Sequence, residues 1–229
     1  MQTLNRSAGF SNIVLSNQLK KNSLFMADTD VYKTIRKPSD GLYREKGSRF
    51  ISVAIPVQNE SEIKSHIEAI RKEHHEARHH CFAWVLGPEG NSWRANDDGE
   101  PSGTAGRPIL GQIRSYGLTN ILIVVSRYFG GTLLGVSGLI NAYRTAAGTA
   151  LNNAEIIDHI ICDHYEISFP YQAMNDVMKI IKEEDINQCE HLFDLECRMT
   201  VSFRSSSGEK ILGRLSRISG FICRFLYSK

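Results

Sequence analysis

The longest uninterrupted aliphatic run in this chain is Ile121–Val125, Ile-Leu-Ile-Val-Val, set between Asn120 and Ser126, and no apolar run of any kind exceeds six residues. A helix that crosses a bilayer needs about 20 apolar residues, so no membrane-spanning helix is expected and no membrane partner. A short, β-branched run between polar flanks is the best buried strand in the chain. The other elements are read outward from it.

Upstream, Arg49–Val57 alternates Phe50, Ser52, Ala54 and Pro56 with Ile51, Val53, Ile55 and Val57 and reads as the first clear strand. Asn59 or Ser61 can cap the helix that follows, whose one face carries Ile63, Ile67 and Ile70. His80–Leu86 and Ser92–Ala95 read as strands joined across a Gly-Pro-x-Gly turn. A polar loop, Asn96–Gly106, leads to a helix with Pro108 in its first turn, ending near Tyr116. After the apolar run comes a glycine-rich loop, Phe129–Gly138, and an alanine-rich helix over about Leu139–Asn153. The remainder reads as strand Cys162–Phe169, helix Gln172–Glu184, strands Ile186–Leu192 and Leu195–Arg204, helix Glu209–Ile218 and strand Phe221–Tyr227. That β-α-β-β-α-β order is the split βαβ, or ferredoxin-like, pattern.

With 229 residues, 41% of them apolar and 23% charged, the chain suits two small globular domains. The first 25 residues hold Arg6, Lys20 and Lys21, no acid and no sustained periodicity. Residues 1–27 therefore read as an unstructured extension, with Met26 as an alternative start. The five cysteines form no C-x-x-C pair and read as reduced thiols of a cytoplasmic protein, not as a disulfide framework or a zinc ribbon. The net charge of +2 does not by itself indicate a nucleic-acid partner. Its distribution is more telling: Arg198–Lys229 carries seven Arg or Lys against one acid, Glu209. Within it, Arg214, Arg217, Arg224 and Lys229 could contact RNA or could form a solvated face.

Two segments carry the candidate chemistry. The first is Asn96–Pro108, with Asp97, Asp98, Glu100, Ser102, Gly103, Thr104, Gly106 and Arg107. The second runs from Ser126 through Arg127, Tyr128, Gly130, Gly131, Gly135 and Gly138 to Arg144. Each is a small-residue loop that enters a helix. Glycine lets successive N–H groups form an anion-binding concavity, and the helix start adds unbonded N–H groups at the positive dipole end. Arg107, Arg127 and Arg144 could add bidentate contacts to phosphate. The three acids leave alternatives open: ligands for Mg²⁺ beside a phosphate, acid–base groups, or pairing and capping within a tight turn. Tyr128 and Phe129 could stack on bases or pack at a strand end. Neither G-x-x-x-x-G-K-[ST] nor G-x-S-x-G occurs, so Ser102 and Ser137 have no nucleophile context. His75-Glu76-Ala77-Arg78-His79 matches H-E-x-x-H, the zinc-peptidase pattern. It falls at the end of a charged helix, among four histidines, and lacks a third ligand at helical spacing, so a solvated histidine-rich helix end is expected and no metal site or cofactor.

Asp97–Pro108 and Arg127–Gly131, continued by Leu134-Gly135, Gly138-Leu139 and Ala142–Arg144, resemble the two signature blocks of the IMPACT/YigZ family. Lys46–Phe50 and Ala77–Ala83, which includes His79, are similar to two shorter blocks of that family. Ser137 departs from the glycine usual there. The resemblance covers residues 28–157 strongly, and 158–229 resemble more loosely the extra domain of the bacterial YigZ-type branch. It implies an α+β protein whose first domain has the ribosomal protein S5 domain 2-like fold. The second would be ferredoxin-like, similar to domains of elongation factor G. It also implies a role in translation through RNA, the ribosome or a translation factor. An enzyme acting on a phosphorylated small molecule, with Asp97, Asp98 or Glu100 as metal ligands or acid–base groups, is the alternative, and no catalytic residue is assigned.

Overall fold

The computed structural model describes residues 30–193 and 197–229. The expectation for residues 1–27 falls wholly outside them. Val31–His159 form one compact unit, and Asp30 with Ile160–Lys229 form another.

In the first unit, the chain runs through β1 (Val31–Ile35), β2 (Ser39–Glu45), β3 (Ser48–Pro56), α1 (Glu60–Glu73), β4 (His79–Leu86), β5 (Ser92–Asn96), α2 (Gly106–Ser115), β6 (Ile121–Tyr128), α3 (Gly135–Asn152) and β7 (Ile156–Ile160). Strands β2-β3-β6-β4-β5 form an antiparallel sheet in that order, and β1 pairs with β7. β6 lies at the centre, which explains its unbroken apolar run. Ile121, Ile123 and Val125 enter the core beneath α2 and α3, while Leu122 and Val124 enter a second core with Ile63 and Ile70 of α1. β4 divides the same way, with Cys81, Ala83 and Val85 on one face and Phe82, Trp84 and Leu86 on the other. Each buried aliphatic side chain of this kind contributes about 1.5–3 kcal/mol.

α1 starts where its cap predicts: Asn59 accepts a hydrogen bond from the Glu62 N–H at 2.9 Å. α3 starts at Gly135, four residues before the alanine-rich stretch. It lies very close to the sheet. A Cβ on Gly41 of β2 would come within 2.5 Å of the Ala150 nitrogen. The hydroxyls of Ser39 and Ser52 donate to the carbonyls of Ala150 and Ala146 at 2.9 and 2.7 Å.

The second unit comprises β8 (Cys162–Phe169), α4 (Met174–Glu183), β9 (Asn187–Phe193), β10 (Cys197–Arg204), α5 (Gly208–Leu215) and β11 (Ile222–Ser228). Its antiparallel sheet has the order β11-β8-β10-β9. Tyr165, Ile167 and Phe169 of β8 and Met199, Val201 and Phe203 of β10 face the two helices. The alternate residues of β8 and their partners lie on the other face, where His164 stacks on Tyr227 at 4.4 Å between ring centres. Asp30 is fastened into this unit: its carboxylate accepts from Arg204 Nε and Nη2 at 2.9 and 2.7 Å and from the Ser206 hydroxyl at 2.6 Å. The Arg204 hydrogen bond is the main reason its carboxyl is held well below the usual range. Among the described residues no helix is long and apolar enough to cross a membrane.

Candidate functional site

The candidate site lies at one end of the first unit's sheet, where β3 and β4 begin and β6 ends. The register sets Arg127 opposite both Phe50 and His79, and Tyr128 opposite Arg49. Everything that leaves this end is therefore gathered around Arg127: the Lys46–Gly47 turn, Arg78 and the loop from Phe129 to Leu134. The loop crosses the turn so closely that a Cβ on Gly130 would lie 1.9 Å from the Gly47 carbonyl carbon. No side chain fits there, and the Gly130 N–H donates to the Ser48 hydroxyl at 3.2 Å.

Beyond the loop the chain turns through Gly135, at φ +70°, into the 18-residue helix α3. Leu134 stands at the cap position and no side chain caps the helix. Its first N–H groups thus keep the capacity to bind an anion. They border a cleft of about 350 Å³. Its polar lining is Arg78, His79, Glu100 and Arg127, and its apolar lining includes Phe129, Leu133, Val136 and Leu139. Leu133 is 83% exposed and Val136 60%, so this apolar lip faces solvent.

The floor of the cleft is a buried polar network. Glu100 Oε1 accepts from Arg127 Nη1 at 2.6 Å and from the Tyr143 hydroxyl at 2.8 Å. The Arg127 side chain is only 7% exposed, and its Nε is buried with no partner. An unpaired buried N–H of this kind is uncommon and costly. Beneath lies the Cys81 sulfur, 3.3 Å from the Tyr143 hydroxyl oxygen and 3.0 Å from the Asp97 carbonyl oxygen. Burial is the chief cause that pushes the Cys81 thiol and the Tyr143 phenol far above their ordinary values. Both stay neutral, and Cys81 is no nucleophile.

His79 is oriented by the loop before α2. Its Nδ1 lies 2.8 Å from the Asp98 carbonyl oxygen. A carbonyl only accepts, so Nδ1 carries the hydrogen and Nε2 of the neutral ring presents a lone pair.

The other predicted residues are distributed as follows. Asp97 caps its own loop: Oδ2 accepts from the Gly103 N–H at 2.8 Å, and Oδ1 from the Ala105 and Gly106 N–H groups at 3.0 and 2.8 Å. Burial alone would raise its carboxyl, but these three bonds and nearby Arg107 outweigh it and hold the carboxyl low. The concavity expected ahead of α2 is thus filled from within. Asp98, at φ +43°, accepts from Arg71 at 2.6 Å and from the His80 N–H at 2.7 Å. Thr104 is buried and donates to the Pro101 carbonyl at 2.6 Å. Ser102 and Arg107 are exposed and outside the cleft lining. Tyr128 bonds His74 Nδ1 at 3.0 Å and lies under the Arg49 guanidinium, 4.6 Å from its ring centre. Gly131 is exposed and Gly138 sits in the first turn of α3. Arg144 is exposed on α3 about 13 Å along the axis from Gly135 and does not line the cleft.

α1 ends at Glu73, so His75 falls in a turn and His79 in β4, and the H-E-x-x-H match is not helical. Among the described residues no group of three His, Cys, Asp or Glu is placed to hold a metal ion. The basic carboxyl-terminal stretch is largely paired within its own unit: Arg204 with Asp30, Lys210 and Arg214 with Glu184, and Arg224 with Glu166. Arg78, Leu133, Leu134, Val136 and Leu139 line the cleft but were not among the residues expected to bind there. For Leu133, Leu134 and Val136 the signal was present, as bulky apolar side chains inside a glycine-rich loop where turn residues are usual.

Together these features define a two-unit α+β protein with an open helix end over a buried Arg–Glu–Tyr floor. Residues 46–151 match the Impact N-terminal domain. The chain is 37% identical over 142 residues to the IMPACT family member YigZ of Escherichia coli (strain K12), covering 61% of this chain and 70% of that one. It is 35% identical over 152 residues to the IMPACT family member YvyE of Bacillus subtilis (strain 168), covering 66% and 70%. A crystal structure of a hypothetical protein superposes with a TM-score of 0.65 at 28% identity, covering 86% of this chain and 98% of that one. The chain belongs to the IMPACT family.

Proposed function

We propose that the protein is a cytoplasmic, translation-associated RNA-binding module, and that a backbone phosphate docks at the start of α3. The observation that carries this reading is the uncapped amino end of an 18-residue helix opening on the same cleft as the buried, incompletely bonded Arg127. Arg127 and Glu100 cancel each other's charge. The attraction for phosphate therefore rests on Arg78, the helix end and the remaining Arg127 N–H groups. Phe129 is 40% exposed beside the Arg78 guanidinium, which suits stacking of a base. Lys46 and Arg49 extend the positive rim at the same end of the sheet.

The element orders support an S5 domain 2-like first domain and a ferredoxin-like second domain, with the boundary near residues 157–158. The translational role rests on the family resemblance, since either fold hosts many activities. Metal-assisted chemistry on a phosphorylated small molecule draws less support. Asp97 and Asp98 spend their oxygens on the backbone and Arg71, and Glu100 is tied to Arg127 and Tyr143.

The test is anisotropy of a labelled oligoribonucleotide with wild type and Val136→Glu, which sets a carboxylate at the helix end. Wild-type binding should weaken steeply between about 50 and 200 mM salt, and Val136→Glu should abolish it. Binding that the variant retains in full would place the RNA elsewhere.

A further inference from the structure

We infer that the cleft reads the sugar as well as the phosphate: His79 Nε2 accepts a hydrogen bond from a ribose 2′-hydroxyl, so the site selects RNA over DNA. This rests on the phosphate-docking reading above and adds a specificity-determining residue to it.

The cleft offers two kinds of polar group. The donors are Arg78, Arg127 and the first N–H groups of α3. The acceptors are the Glu100 carboxylate and His79 Nε2. In the neutral ring Nε2 cannot become a donor without losing the bond to the Asp98 carbonyl, because that bond fixes the hydrogen on Nδ1. The ring lies beside the Gly99 backbone, where an added Cβ would stand 3.5 Å from His79 Nδ1 and 3.6 Å from Cε1. Nε2 makes no hydrogen bond among the described residues and is not among the buried partnerless atoms. A ligand that satisfies this lining must present both an anion and a hydrogen-bond donor. Phosphate supplies only acceptors. In a nucleic-acid backbone the hydroxyl donor nearest a phosphate is the ribose 2′-hydroxyl, which DNA lacks. The volume of about 350 Å³ is at the small end of ligand sites and suits one nucleotide, not a duplex.

The experiment measures wild-type affinity for one short sequence as RNA, as DNA and as 2′-fluoro RNA, whose fluorine accepts but does not donate. His79→Leu and Val136→Glu are measured in parallel, with thermal melts to confirm that each is folded. RNA should bind about tenfold more tightly than the other two, as one added hydrogen bond gives. In His79→Leu the three should converge on the weaker affinity, and in Val136→Glu all three should be lost. Equal binding of the three by wild type, sensitive to Val136→Glu, would overturn the sugar reading and leave the phosphate reading standing. So would tight binding of 2′-fluoro RNA, or a preference for RNA that survives in His79→Leu. Should His79→Leu fail to fold, the ligand series on wild type decides alone. No binding by wild type, or binding indifferent to Val136→Glu, would overturn both.

Discussion

The segments Asp97–Gly106 and Phe129–Gly135 are both short, rich in small residues, and lead into helices on the same face of one sheet. Their helix ends differ. Ahead of α2 the Asp97 carboxylate accepts from three backbone N–H groups, so the anion position is filled by the chain itself. Ahead of α3 stand Leu134 and Gly135, and no side chain takes that place. A loop of this composition is therefore an anion site only if no carboxylate of its own reaches the helix end. What looks like one repeated device is a closed version and an open one, and the closed one orients the open one, since Asp98 and Glu100 of the first loop hold His79 and Arg127.

The comparison can be broken most forcefully at Arg127. Arg127→Ala leaves Glu100 buried with only the Tyr143 hydroxyl, and should cost about 3–5 kcal/mol in urea unfolding. A loss below about 1 kcal/mol would mean that the pair is not the anchor described. Next comes Asp97→Ala, which orphans the N–H groups it bonds and should cost about 2–3 kcal/mol. The same change should turn the closed loop into an open one, so added inorganic phosphate should raise the melting temperature of the variant more than that of wild type. A smaller effect follows from acid. The Asp97 carboxyl lies below its ordinary value of 3.8 in the fold, so its contribution is complete above that value and is lost as pH falls through the lower folded one. Protonation leaves an acceptor in place, which is why it costs less than substitution. Asp97→Asn should lack this part of the acid dependence in denaturation profiles. The smallest change is Val136→Glu. A carboxylate at the start of α3 should add about 0.3–1 kcal/mol of stability while removing anion affinity, so stability and binding move in opposite directions.

The elements with strong periodicity were legible in the sequence. β6, β4 and β8 carry apolar residues wherever they meet a core, and Asn59 marks the start of α1. β1, β2 and β7 were not legible. Lys33, Arg36, Asp40, Arg44 and Asp158 in or beside these outer strands dilute the alternation, and Gly41 reads as a turn although it serves close packing under α3. The first four residues of α3, Gly-Val-Ser-Gly, disguise its start. Within the site, the sequence pointed to both loops and to Arg127. It could not show which acid reaches which backbone group, because Asp97 caps residues up to nine positions ahead and Glu100 meets Arg127 and Tyr143 across 27 and 43 positions. Charge counting misled in the carboxyl-terminal stretch for the same reason: Asp30, Glu166 and Glu184, all outside the basic segment, neutralise much of it.

The far half of α3 is bolted to the sheet by Ser39, Ser52 and Asn153, whose side chains donate to Ala150, Ala146 and Asp40 carbonyls. Its amino end behaves as the tip of a clamped beam. Thermal motion there is set by the stiffness of the helix, not by the loop in front of it, so its N–H groups hold nearly the same aim before and after an anion arrives. Recognition at such a tip loses little freedom on complex formation, and its speed is governed by diffusion and electrostatic attraction, with no slow closing step.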